Sequence, residues 1–178
     1  MEVAESYGRP SRDPMHGLGL RLLSDPSFRP SVREAISRVC GLHDDAAATR
    51  FVPASSVRRL AGQVNLAAST LRQYWREDRP LRCRLKEFVN WAVLLWAVRA
   101  RAGADWEAVA DQVGLRRRTL EINVRRMAGC TLAAAARHPE RVVGRFDEWV
   151  DSVWKPRSAN GSGTHDRVSA PTPGAPAT

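Results

Sequence analysis

At 178 residues the chain can hold one modest domain with a real core, or two small lobes sharing one. The longest apolar run, 88–98, is broken by Asn90 and too short to cross a bilayer, and the first residues lack the apolar segment of a signal peptide. The formal net charge of +9 is concentrated: residues 56–130 carry fifteen Lys and Arg against seven acids, whereas 1–55 carry seven of each and 131–178 six against five. The middle of the chain therefore suits a polyanion.

Residues 1–30 mix Gly, Pro, Ser and charge and are expected to be largely irregular, with 17–23 their only apolar patch. Pro30 or Ser31 then opens a helix through Glu34, Ile36, Val39 and Leu42, and Ser31 with Glu34 has capping-box spacing. Residues 44–50 read as a connection. Ser55 or Ser56 caps the next helix, whose inner face is Val57, Leu60, Ala61 and Val64. Asn65 stands where a left-handed residue is needed, and a third helix runs from about Ala68 to Glu77 on an apolar stripe of Leu71, Tyr74 and Trp75.

After Pro80, residues 81–102 predict a long helix, apolar at Leu85, Phe88, Val89, Ala92, Leu95 and Trp96. Trp91, Val93 and Leu94 widen that stripe, so this helix must be buried on more than one side. Gly103 is expected to end it. Asp105 caps the following helix, with Glu107 in its first turn, and Gly114 makes a turn. The next helix is lined by Leu120, Val124 and Met127 and stops at Gly129. Residues 131–138 predict a short Ala-rich helix. Residues 139–154 predict a longer one carrying Val142, Val143, Phe146, Trp149 and Val150, and 156–178 have the composition of disorder. No strand pattern stands out, and the expected class is all-α.

The chain repeats itself at a period of 49. Residues 56–76 and 105–125 share Ala61/Ala110, Gln63/Gln112, Val64/Val113, Leu66/Leu115, Thr70/Thr119, Leu71/Leu120 and Arg76/Arg125, and Leu60/Val109 and Val57/Trp106 stay apolar. Each copy has a small residue in its first helix, a turn residue four positions later and apolar clamps beyond it. That is the pattern of a helix-turn-helix, whose second helix enters the major groove by its N-terminal half. Two copies in register are a far stronger signal than either alone.

The same residues resemble the DNA-binding domain of the AraC/XylS transcription regulators. In the first half they are 56–61, Asn65-Leu66, Leu71 and the Tyr74-Trp75 aromatic site. In the second they are Val109-Ala110, Gly114-Leu115 and Gly129-Cys130-Thr131. The resemblance covers about 31–135 and implies two helix-turn-helix (homeodomain-like) lobes joined by a long linker helix. The present chain has Asn65 where the family has Gly, Leu115 where it has an aromatic, and Leu132 where it has Pro. The expected domains are an N-terminal segment 1–30, a double helix-turn-helix domain 31–155 and a tail 156–178. Within the domain, the lobes are about 31–80 and 105–155, the linker helix about 81–102, and an extra helix closes the C-terminus. With 30 residues before Ser31, no effector-binding barrel is expected there.

The candidate DNA-contacting residues follow from the repeat. In the first copy they are Ala67, Ala68, Ser69, Arg72, Gln73 and Arg76; in the second, Arg116, Arg117, Arg118, Thr119, Glu121, Arg125 and Arg126. Arg reads guanine, Gln reads adenine and Ala meets a thymine methyl. Three Arg at the start of a helix oppose its dipole, a cost that an external anion offsets. Residues 81–102 as a helix would span about 33 Å, close to the roughly 34 Å of one DNA turn, so a monomer could place both readers on one face of the duplex. The expected partner is double-stranded DNA. The alternative is a degenerate helix-turn-helix interaction module that binds RNA polymerase or another regulator through its Trp-rich surfaces, a reading that exposed Trp149 and Trp154 would favour. A third reading is nonspecific DNA binding. His16, His43, His138 and His165 are scattered without catalytic spacing, and Cys40, Cys83 and Cys130 lack zinc-site spacing. A cytoplasmic protein with reduced thiols, no metal, no cofactor, no membrane span and no enzymatic activity is expected.

Overall fold

The computed structural model describes residues 13–43, 51–101 and 104–154. All regular structure among them is helical. The connection expected at 44–50, the stop expected at Gly103 and the tail 156–178 lie outside the described residues.

The apolar patch at 17–23, for which the sequence sets no structure, lies in a helix. α1 (Pro14–Leu23) starts with Pro14 in its first turn and Asp13 as its cap, the carboxylate accepting from Met15 N at 3.1 Å. Met15, Leu18 and Leu22 are buried. Gly17 and Gly19 obscured this helix, because glycine is a poor helix former. Gly19 has a packing reason: a Cβ there would stand 2.6 Å from Cys40 Cβ, so its absence lets α1 lie close on the end of the next helix.

α2 (Pro30–Val39) begins at Pro30, with Arg29 as a cap that makes no side-chain hydrogen bond. The Ser31–Glu34 capping box does not form. Pro30 at the first helical position puts Ser31 inside the helix, and the Glu34 carboxylate pairs with Arg38 at 2.6 Å. α3 (Val57–Gln63) and α4 (Ala68–Asp78) follow, with Val57, Leu60, Ala61, Leu71 and Trp75 buried.

α5 (Leu85–Ala100) is apolar nearly all round, and eleven of its sixteen residues are buried. It is covered accordingly, packing on α3, on α6 (Trp106–Val113), on α7 (Arg117–Ala128) and on α9 (Pro139–Val153). The short α8 (Leu132–Arg137), capped by Thr131, packs between α7 and α9. α1 through α4 pack in sequence on one another. The buried apolar side chains form one continuous cluster. On α5, Phe88 stacks on Trp75 of α4 at 5.1 Å, and Trp91 meets Phe146 of α9 at 5.5 Å. One helix thus joins the packing of both halves.

α5 is shorter than the 22 residues expected for 81–102, at sixteen residues or about 24 Å. Residues 81–84 do not join it because their backbone is committed elsewhere. Cys83 O accepts from Trp75 Nε1 at 2.9 Å, Arg82 N donates to Val153 O at 2.9 Å, and Arg84 is extended at ψ 141°. Among the described residues, no helix is long and apolar enough to cross a membrane.

Candidate nucleic-acid interface

The two copies of the repeat fold alike in detail. Ser56 Oγ accepts from Arg59 N at 3.2 Å, and Asp105 Oδ1 accepts from Ala108 N at 2.7 Å, each three residues into its helix. Asn65 and Gly114, equivalent at the 49-residue shift, both take left-handed backbone, at φ 54° and 68°. Directly after each, Leu66 N donates to Ala61 O and Leu115 N to Ala110 O, both at 2.9 Å. The next helices start from near-identical extended residues, Ala67 (ψ 144°) and Arg116 (ψ 141°). Neither start has a side-chain cap or an acid in its first turn; on α7 Thr119 N donates to Arg116 O at 2.8 Å, and the first N–H groups of a helix have no partner within it.

The first copy also touches the turn of the second. Arg59 Nη1, on α3, donates to Val113 O at 2.9 Å and to Ser55 Oγ at 3.2 Å. The guanidinium lies so close to the second turn that a Cβ on Gly114 would be 2.5 Å from it. Arg59 therefore fixes one pair against the other.

Most of the candidate contact residues are exposed. Ala67, Ser69, Arg72, Gln73 and Arg76 are open on α4 and its start, with Ala68 half-buried. Arg116, Arg117, Arg118, Thr119, Arg125 and Arg126 are open on α7 and its start, with Glu121 half-buried. Helical spacing gathers Ser69, Arg72, Gln73 and Arg76 on one face. The same positions on α7 are Arg118, Glu121, Ile122 and Arg125. Ile122, 56 % exposed, was missed by reading for polar groups; its repeat register with Gln73 was the available signal. Arg126 falls off this face and lines a cleft together with Arg76.

Some of these groups are already engaged. Gln73 Nε2 donates to Glu77 Oε1 at 2.8 Å, Arg125 pairs with Glu121 at 3.2 Å, and Arg117 lies 3.9 Å from Glu107. The Gln73 hydrogen bond, with Arg29 beside it, holds the Glu77 carboxyl below its usual range. Arg72, Arg76, Arg116, Arg118 and Arg126 make no ion pair among the described residues. The arrangement offers cations and hydrogen-bond donors to an anionic surface from two helices in equivalent settings.

Among the described residues, no group of three or more His, Cys, Asp and Glu side chains could hold a metal ion. The three cysteines are unpaired, and burial, with Glu87 nearby, pushes the Cys83 thiol up to about 12. Comparison of the chain with protein families, curated proteins and solved structures finds no match.

Proposed function

We propose that this chain is a double-stranded DNA-binding protein whose α3/α4 and α6/α7 pairs are helix-turn-helix lobes joined by α5. In this reading the N-terminal halves of α4 and α7 enter two stretches of major groove. Within that class, it is a sequence-specific transcription regulator of the AraC/XylS type, acting by binding and not by catalysis. The observation that carries the reading is the repeated turn: two left-handed residues 49 apart, each presenting an uncapped, exposed, arginine-bearing helix. Arg76, Arg118 and Arg125 suit guanine or phosphate, Gln73 suits adenine, and Ile122 suits a thymine methyl.

The length of α5 constrains how both readers could engage. At about 24 Å it falls short of one DNA turn, roughly 34 Å. The remaining distance must come from the lateral offset of α4 and α7 or from bending of the duplex. Exposed Trp149 and Trp154 would favour the interaction-module alternative, and both are half-buried. Trp149 instead packs on Trp91 and Phe146 and donates to Glu87, and Trp154 lies under Arg21 at 4.2 Å.

The test is selection of bound duplexes from a random pool, followed by titration against random DNA at fixed salt. A recurring sequence bound at least about a thousandfold tighter than random DNA supports the reading. Equal affinity for all duplexes would leave only nonspecific binding, and no binding would end the DNA reading.

A further inference from the structure

Beside the exposed faces of α4 and α7 lies a cleft of about 720 Å³, walled by the end of α4, the 79–84 connection and α7. Five arginines line it: Arg76, Arg79, Arg82, Arg84 and Arg126. Its one carboxylate, Glu87, accepts from Trp149 Nε1 at 2.6 Å. Glu77, next to Arg76, is taken by Arg29 and Gln73. Among the described residues, none of the five guanidiniums makes an ion pair.

The backbone that carries these groups is pinned. Trp75 Nε1 holds Cys83 O, and Val153 O holds Arg82 N. Arg79 turns the chain into the connection with left-handed backbone at φ 48°. Three arginines within six residues are thus set against two more from neighbouring helices, five positive charges against the one carboxylate that lines the cleft. Guanidinium forks match phosphate oxygens in bidentate geometry, and five cations call for several negative charges, not one.

We propose that this cleft is a binding site for adjacent phosphate groups. The site does not depend on base reading, since Arg79, Arg82 and Arg84 lie outside the faces assigned to the bases. Two sources carry this chemistry, a free polyphosphate and the sugar–phosphate backbone of DNA.

The probe is inorganic tripolyphosphate, titrated calorimetrically into the full chain at low ionic strength, where screening is weak. Saturable binding is expected. Arg82→Gln with Arg84→Gln should weaken it about tenfold or more, because two charge-assisted contacts are lost. The charge-matched control Arg137→Gln with Arg141→Gln, outside the cleft, should change it less than about twofold. Arg79→Gly supplies a second test variant that keeps the fold, since glycine is at ease in left-handed backbone; it too should weaken binding. Displacement of tripolyphosphate by duplex DNA assigns the site to the DNA backbone, and simultaneous binding assigns it to a free polyphosphate; each supports the site. Absence of saturable binding, or equal loss in the cleft variants and the control, overturns it. A chain that binds tripolyphosphate but no duplex would keep the cleft and lose the DNA reading.

Discussion

Asn65 and Gly114 hold equivalent left-handed positions, yet they should respond differently to substitution. Gly114→Ala places a Cβ in disfavoured backbone, at about 1–2 kcal/mol, and drives it into the Arg59 guanidinium. Denaturant unfolding should show at least that loss. Asn65→Gly removes no such contact and should stay within about 1 kcal/mol of the parent. A fully stable Gly114→Ala protein would mean that the second turn is not built this way. The arginines at the start of α7 should also separate. Arg118 shares a face with Ile122 and Arg125, so Arg118→Ala should cost about 1–3 kcal/mol of DNA affinity and relax one base position. Arg117, at the first helical position and near Glu107, should act on phosphate, so that Arg117→Ala weakens all sequences alike. Binding curves on single-base variants of a selected site distinguish the two outcomes. The turn residues were legible because αL backbone restricts residue choice sharply. Ile122 was not, because an exposed apolar residue looks like core until its helix is oriented.

Among elements, α5 does the most to unite the chain. Trp96 is 6 % exposed, and its Nε1 donates to Phe51 O at 2.7 Å, reaching toward the first half from a helix that packs on α6, α7 and α9. Trp96→Ala should cost roughly 3–5 kcal/mol, and hydrogen exchange should show α3 and α6 losing protection together. Protection retained in either would mean that α5 is not a shared core element. The all-round apolar character of α5 was legible in its sequence, as were the helices that follow it. Its true start was not, because Trp75 and Val153 claim the backbone of 82–83 from far away in sequence. α1 was hidden for a related reason: Gly19 lowers local helix propensity in order to permit close packing on Cys40.

At the scale of the whole molecule, Arg59 and α5 tie the two repeats into one body through Val113 O and a continuous apolar cluster. A rigid pair of readers should require two DNA segments in fixed helical phase. The segments should be unlike, since Ser69, Arg72 and Gln73 present different chemistry from Arg118, Glu121 and Ile122. The repeat made this duplication visible in the sequence, whereas the shortened α5 and the Arg59 bridge depend on tertiary contacts that no local pattern encodes. The most direct test takes a site selected from random duplexes and inserts five base pairs, about half a helical turn, between its two segments. Affinity is then measured at one salt concentration. If α4 and α7 read DNA together, the insertion turns one segment to the opposite face and removes most of the affinity. Unchanged affinity would contradict the account and leave at most one of the two helices reading DNA.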